Sequence, residues 1–160
     1  MRSEQEVNRA IEQYADTVNR ICMLHLKNLT DTEDIFQEVF LKYALSSTAF
    51  ENMEHEKAWI IRVTINRCKD FLKNAFRKHT IPIDEMISCL PGLTGESSEV
   101  LEAVLCLPKK YKDAVYLYYY EGYSASEIGK MLHKKVNTVY TLLARARKML
   151  QEKLGGDENG

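Results

Sequence analysis

The sequence predicts an all-α protein of two small helical domains joined by an acidic, flexible linker. Three observations carry that prediction. Seven Gly and three Pro in 160 residues leave few of the residues that interrupt helices. Apolar residues recur at three- and four-residue steps along nearly the whole chain, as a buried helix face requires. The exception is "TIPIDEMISCLPGLTGESSE", which holds two of the prolines, two glycines and a serine pair, the punctuation of a connection. The boundaries that follow are a first domain over 1–80, a linker over 81–98, a second domain over 99–154 and a disordered tail over 155–160.

In the first domain, Val7, Ile11, Tyr14, Ala15, Val18, Ile21 and Cys22 mark one helix face. After "NLTDTED", where Thr30 or Asp31 is suited to cap, Ile35, Phe36, Val39, Phe40 and Tyr43 mark a second. A polar break, "SSTAFENMEHE", precedes a third helix from about Lys57 to Arg77, with Trp59, Ile60, Val63, Cys68, Phe71, Leu72 and Phe76 inward. Beyond the linker, Val100 to Leu107, Lys109 to Glu121, Ser124 to Leu132 and Asn137 to Leu154 read as four further helices.

Composition narrows the function classes. Hydrophobic residues at 45% and charged residues at 28% are ordinary for a soluble globular chain. No apolar run approaches the roughly 20 residues a membrane span needs, and the opening stretch is too polar for a signal peptide, so the expected location is cytoplasmic. Cys22, Cys68, Cys89 and Cys106 are scattered and expected to be reduced thiols. The best local zinc candidate, Cys22 with His25, lacks a second pair. No metal, cofactor or small-molecule substrate is expected, and without a phosphate loop or a nucleophile–base pair neither is enzymatic activity.

A formal net charge of -1 conceals alternating blocks. Asp31 to Glu56 holds seven acidic residues against Lys42 alone, and Lys57 to His79 holds seven Lys and Arg against Asp70. Ile81 to Leu107 holds five acidic residues and no cation, whereas Ile128 to Leu154 holds seven cations against Glu152. Local potential, not net charge, attracts a polyanion, so two segments qualify as nucleic-acid surfaces.

The last block has the pattern of a helix-turn-helix. Ser124 and Glu127 are spaced as a capping box. Gly129 lies inside the following short helix, where Gly costs about 1 kcal/mol against Ala, so a closely crossing second helix is the expected reason for it. "HKKV" makes the turn, and Asn137 is suited to cap the next helix. On that helix Val139, Leu142, Leu143, Ala146, Leu150 and Leu154 point inward. Thr138, Thr141, Arg145 and Lys148 fall on another face, flanked by Tyr140 and Arg147, as a helix reading a major groove requires.

"LPKKYKDAVYLYYYEGYSASEIGKMLHKKVNTVYTLLARARKML" resembles the fourth, promoter-recognising region of bacterial sigma factors of the extracytoplasmic-function group. Leu107-Pro108, Gly122, Ser124, Glu127-Ile128, Leu132, Thr138-Val139, Leu143, Arg145-Ala146-Arg147 and Leu150 carry the match. The resemblance implies binding to the minus-thirty-five promoter element through Lys134, Lys135, Asn137, Thr138, Tyr140, Thr141, Arg145 and Lys148. The sequence departs from the family pattern at His133, where a turn Gly is usual, at Lys134, where an apolar residue is usual, and at Leu142, where Arg is usual.

The first domain resembles region two of the same family. "DTEDIFQEVFLKYA" matches its polymerase-binding helix at Asp34, Gln37, Glu38 and Phe40, an acidic face complementary to a basic partner surface. "FENMEHEKAWIIRVTINRCKDFLKNAFRKH" matches the segment that binds the melted minus-ten element at Phe50, Trp59, Arg62, Asn66, Asp70 and Leu72. Phe50, Arg62, Asn66, Lys69 and Lys73 are the contacts this implies: cations for the strand backbone, an amide for a base edge, and an aromatic ring that a base meets. Trp59 is expected in the core.

The resemblance covers about Ala10 to Leu154 and implies a dissociable specificity subunit. Its partners are core RNA polymerase, promoter DNA as duplex and melted single strand, and an anti-sigma factor that is typically membrane-bound, with a stress or envelope-response regulon. It also places the linker, with Asp84, Glu85, Glu96, Glu99 and Glu102, in the polymerase. A stand-alone helix-turn-helix regulator and a sigma-like adaptor without promoter binding are the alternatives. The first leaves the acidic helix unexplained, and the second leaves both basic faces unexplained.

Overall fold

The computed structural model describes residues 1–77, 103–104 and 106–153, and every regular element among them is helical. The chain divides into two compact units, Met1–Pro82 and Ile83–Gly160. The expected linker and the acidic residues at 84, 85, 96, 99 and 102 lie outside the described residues, as does half of the expected helix at 100–107.

In the first unit α1 spans Glu4–Leu26, α2 Leu29–Leu45 and α3 Met53–Arg77. A capping box starts α1: the Glu6 amide donates to Ser3 Oγ at 3.1 Å, and the Ser3 amide donates to Glu6 Oε1 at 3.1 Å. It ends at Lys27, which adopts a left-handed backbone with φ 53°. The next residue, Asn28, caps α2 by accepting from the Asp31 amide at 2.9 Å, which corrects the expectation of Thr30 or Asp31. The link between the helices is so short that Thr30 and Asp31 are already helical.

The third helix begins a full turn earlier than expected. Asn52 accepts from the His55 amide at 2.8 Å through its side chain and from the Glu56 amide at 3.1 Å through its carbonyl. "MEHE" offers no apolar periodicity, but an Asn cap and two acidic residues in the first turn suit a helix N-terminus.

Ala10, Val18, Ile21 and Cys22 of α1, Ile35 and Val39 of α2, and Ile60, Ile61, Ile65 and Cys68 of α3 form the core. Val63 and Thr64 are buried alongside them, and the Thr64 hydroxyl donates to the Ile60 carbonyl at 2.7 Å. Cys22 and Cys68 are buried thiols, sulfur to sulfur 3.9 Å. Cys106 is disulfide-bonded, which corrects the expected reduced state at that position.

A buried carboxylate ties the three helices together. Glu56, 5% exposed, accepts from the Arg9 guanidinium at 2.8 and 3.1 Å, from the Tyr14 hydroxyl at 2.9 Å and from the Tyr43 hydroxyl at 2.6 Å. Burial pushes the Glu56 carboxyl up, but the hydrogen bonds from Arg9, Tyr43 and Tyr14 outweigh it and hold it below the usual carboxylate range. Burial first, and the neighbouring Glu56 second, push the Tyr43 phenol up to about 12 and the Tyr14 phenol up as well.

In the second unit α4 spans Lys109–Val115, a π-helical turn spans Tyr116–Tyr120, α5 spans Ala125–Leu132 and α6 spans Val136–Lys153. The wide turn closes with the Glu121 amide on the Tyr116 carbonyl at 3.1 Å. A run of seven consecutive buried residues, 111–117, extends into it, and its remaining residues Tyr118, Tyr119 and Tyr120 are exposed.

Candidate nucleic-acid and polymerase interfaces

Backbone constraints set the angle between α5 and α6. The expected capping box is present: the Glu127 amide donates to Ser124 Oγ at 3.1 Å, and the Ser124 amide donates to Glu127 Oε1 at 2.8 Å. At the other end of α5 the His133 and Lys134 amides both donate to the Gly129 carbonyl, the latter at 2.8 Å. That closure requires the left-handed backbone of His133, φ 58° and ψ 47°, where a Cβ is disfavoured but His is better tolerated than most.

Gly129 is needed for a different reason from the one expected. A Cβ there would sit 2.6 Å from the Lys134 carbonyl oxygen and 3.7 Å from the Val136 amide nitrogen. The turn itself, more than a crossing helix, occupies the space. Asn137 is not the cap of α6 either, because the helix starts at Val136 and the Val139 amide already bonds the Lys135 carbonyl at 3.1 Å.

The outward face of α6 is open. Lys134, Lys135, Asn137, Thr138, Tyr140, Thr141, Arg145 and Lys148 are all exposed, whereas Val139, Leu142, Leu143 and Ala146 are buried. Thr138, Thr141, Arg145 and Lys148 follow steps of three, four and three, so they form one ridge. Leu142 is 7% exposed, so this position packs the core and offers no cation. At the edge of the ridge, Arg147 donates twice to the Tyr119 hydroxyl, at 3.2 and 2.9 Å. That hydrogen bond, first among the causes, raises the guanidinium further above its usual range. The spacing placed Arg147 on the flank but gave no sign of this partner.

A second ridge runs along α3. Arg62, Asn66, Lys69 and Lys73 follow steps of four, three and four and therefore share one face. Asn66 and Lys73 are exposed, and Arg62 and Lys69 are half-buried. The Arg62 Nε is buried without a hydrogen-bond partner among the described residues. Phe50, in the loop before α3, is half-buried in an aromatic cluster. Its ring lies parallel to Tyr43 at 6.3 Å and edge-on to Trp59 at 5.6 Å and to His55 at 5.3 Å. Trp59 is half-buried, so it packs with one side and leaves the other accessible.

On α2, Asp34, Gln37 and Glu38 are exposed, while Phe40 is buried with its ring 4.9 Å from Phe36. Phe40 thus supports this face from behind. Glu38 is ion-paired with Arg67, which also approaches Asp70 at 3.6 Å. Burial, then the neighbouring Asp34, raises the Asp31 carboxyl above its usual range. The spacing analysis missed two residues here. Leu41 and Leu45 are 59% and 61% exposed and sit four residues beyond Gln37 and seven beyond Glu38. Neither lies on the apolar face of Ile35, Phe36, Val39, Phe40 and Tyr43, so the same periodicity leaves them outward, and their exposure agrees.

Among the described residues no group of three or more His, Cys, Asp or Glu side chains is arranged to hold a metal ion. Cys22 and His25, the local zinc candidate, are both buried in α1. No helix among those residues is long and apolar enough to cross a membrane.

The sigma-70 region 2 family model matches residues 10–78, and the sigma-70 region 4 model matches residues 97–150. SigV, an RNA polymerase sigma factor of Bacillus subtilis strain 168, is 30% identical over 138 residues, which cover 84% of this chain and 82% of that protein. SigW, an extracytoplasmic-function RNA polymerase sigma factor of the same strain, is 27% identical over 163 residues, 90% of this chain and 86% of the relative. The fold is similar to that of RpoE from Bartonella quintana, solved with the anti-sigma factor NepR, at a TM-score of 0.72 and 17% identity over 94% of this chain and 97% of the other. CnrH, solved with the cytosolic domain of CnrY, gives a TM-score of 0.69 at 18% identity, covering 99% and 92%.

Proposed function

The chain belongs to the extracytoplasmic-function sigma factors of the sigma-70 family, and from that membership we propose how its two units divide the work of promoter selection. A sigma factor binds core RNA polymerase and directs promoter-specific initiation. Catalysis stays with the polymerase, and this chain, acting in the cytoplasm, contributes DNA choice and help in strand separation.

The observation that carries this reading is the pair of basic ridges, one per unit. In this reading the α6 ridge docks in the duplex groove at the minus-thirty-five element, with Arg145 and Lys148 on phosphates and Asn137, Thr138 and Thr141 toward base edges. Lys134, Lys135 and Tyr140 flank the entry. The α3 ridge holds the melted minus-ten strand, with Arg62, Lys69 and Lys73 along its backbone, Asn66 reading an extruded base and Phe50 meeting one. Tethering the two contacts makes the second effectively intramolecular, so two modest sites act as one strong site.

The α2 face is the polymerase contact. Asp34, Gln37 and Glu38 supply orientation and on-rate, and Leu41 and Leu45 supply the apolar area that an acidic face lacks. An anti-sigma factor is the partner that keeps these surfaces covered until a stress or envelope signal, in keeping with the partners named for RpoE and CnrH.

The test is run-off transcription from a promoter library with purified core polymerase and this chain. Promoter-specific transcripts that depend on the chain are expected, and their absence with active core would sink the reading. In a binding titration Arg145→Ala should weaken the minus-thirty-five element and flatten the log affinity–log salt slope by roughly 1. An unchanged slope would remove Arg145 from the phosphate contacts.

A further inference from the structure

Arg2 precedes the α1 capping box and attracts no notice in the sequence. In the fold it binds to residues more than forty positions away. Its amide donates to the Ala44 carbonyl at 2.8 Å, its Nε donates to the Tyr43 carbonyl at 3.1 Å, and its Nη2 donates to the Thr48 carbonyl. The guanidinium carbon lies 4.5 Å from the Tyr43 ring centroid and 5.0 Å from that of Phe50. Nη1 approaches Glu6 at 3.8 Å, and only 12% of the side chain is exposed.

The end of a helix has carbonyls without intrahelical partners and a partial negative charge. A planar fork of donors answers both, and its flat face lies against aromatic rings. Arg2 therefore joins three things: the end of α2, the backbone of the following loop at Thr48, and the Phe50 ring within that loop. The loop's own bonds are few and local. The Thr48 amide donates to Ser46 Oγ and the Ser46 hydroxyl donates to Thr48 Oγ1, each at 3.0 Å, and the Glu51 amide donates to His55 Nδ1 at 3.1 Å.

We propose that Arg2 is a positioning residue for reading the melted strand: it fixes the loop at 46–52 and the Phe50 ring in the arrangement that receives a base, without touching DNA itself. The proposal rests on the reading of Phe50 and Asn66 as melted-strand contacts. A loop held in its bound arrangement spares the ordering cost when the strand arrives. A Lys is not equivalent, because a single ammonium cannot serve two carbonyls in one plane and lie flat on the rings.

The test uses the full chain with core polymerase. The probe is a fluorescent non-template oligonucleotide carrying the minus-ten sequence of a promoter selected in the run-off screen. Arg2→Met, which keeps the stem across the rings, and Arg2→Lys should each weaken binding about fivefold, the equivalent of one lost hydrogen bond. The salt slope should stay unchanged, and so should affinity for minus-thirty-five duplex. Unchanged oligonucleotide affinity in both variants, with Phe50→Ala and Asn66→Ala still weakening it, would overturn the role of Arg2 and leave the melted-strand site standing. A slope reduced by about 0.7 would overturn it too, by making Arg2 a direct phosphate contact. No effect of Phe50→Ala or Asn66→Ala would remove the site itself, and the positioning role with it.

Discussion

Glu56→Ala is expected to destabilise the first unit by about 3 kcal/mol, the low end of what removing one partner of a buried ion pair costs. The low end applies because the Arg9 side chain is 45% exposed, so water recovers part of what the guanidinium loses. The two tyrosine hydroxyls recover less, since Tyr14 and Tyr43 are buried and each would lose its carboxylate acceptor. The chain's only Trp, Trp59, lies 6.1 Å from the Tyr43 ring and makes urea unfolding directly observable by fluorescence. An unfolding midpoint equal to that of the parent would refute the assignment of Glu56 as the tie between helices.

The same carboxylate gives stability a pH dependence of definite sign. Its folded pKa lies below the ordinary value of about 4.3, so its contribution is complete above that value and is lost as pH falls through the folded pKa. Tyr43 acts at the other end. Its folded pKa, about 12, lies above the ordinary value of about 10, so that contribution is present below pH 10 and declines between the two. Glu56→Gln should therefore flatten the acid limb. A variant whose acid limb stays as steep as the parent's would show that other carboxyls control it.

Gly129→Ala is expected to cost about 2 kcal/mol in the second unit. Alanine favours a helix over glycine by about 1 kcal/mol, and a surface glycine would show that gain. Here the new methyl meets the Lys134 carbonyl oxygen at 2.6 Å, and overpacking against backbone exceeds the gain. The turn must shift, carrying α6 with it, so minus-thirty-five affinity should fall along with thermal stability. A variant as stable as the parent, with unchanged affinity, would contradict the geometry of this turn.

The all-α class and the two basic faces were legible because they depend on spacing alone. Thr138, Thr141, Arg145 and Lys148 emerged on one face because three- and four-residue steps fix a helix surface whatever packs behind it. The starts of α2 and α3 were misplaced because Asn28 and Asn52 cap from within polar stretches where periodicity carries no signal. The wide turn at Tyr116–Tyr120 was illegible for the opposite reason. Lys112 and Asp113 are buried together with Tyr111 and residues 114–117, so the charged residues there do not mark an outer side by which to count turns.

Long-range partners lay beyond any local pattern. Arg2 on Tyr43 and Thr48, Arg9 on Glu56, and Arg147 on Tyr119 each join residues that only the tertiary fold brings together. Leu41 and Leu45 failed differently. Their spacing already sets them off the apolar face of Ile35, Phe36, Val39, Phe40 and Tyr43, but no motif match includes them, and only their exposure of 59% and 61% singles them out.

A π-helical turn holds one residue more than the α-helical turn it replaces. The segment Tyr116–Tyr120 thus absorbs a single-residue insertion locally, without lengthening the loop to α5. Excising one of its tyrosines would restore regular winding and rotate everything before it by about 100° relative to α5 and α6. Length differences among related chains at this point would then change which side chains emerge beside Arg147 while leaving α5 and α6 intact. Such a turn gives evolution a place to adjust the margin of a DNA-binding surface without disturbing its centre.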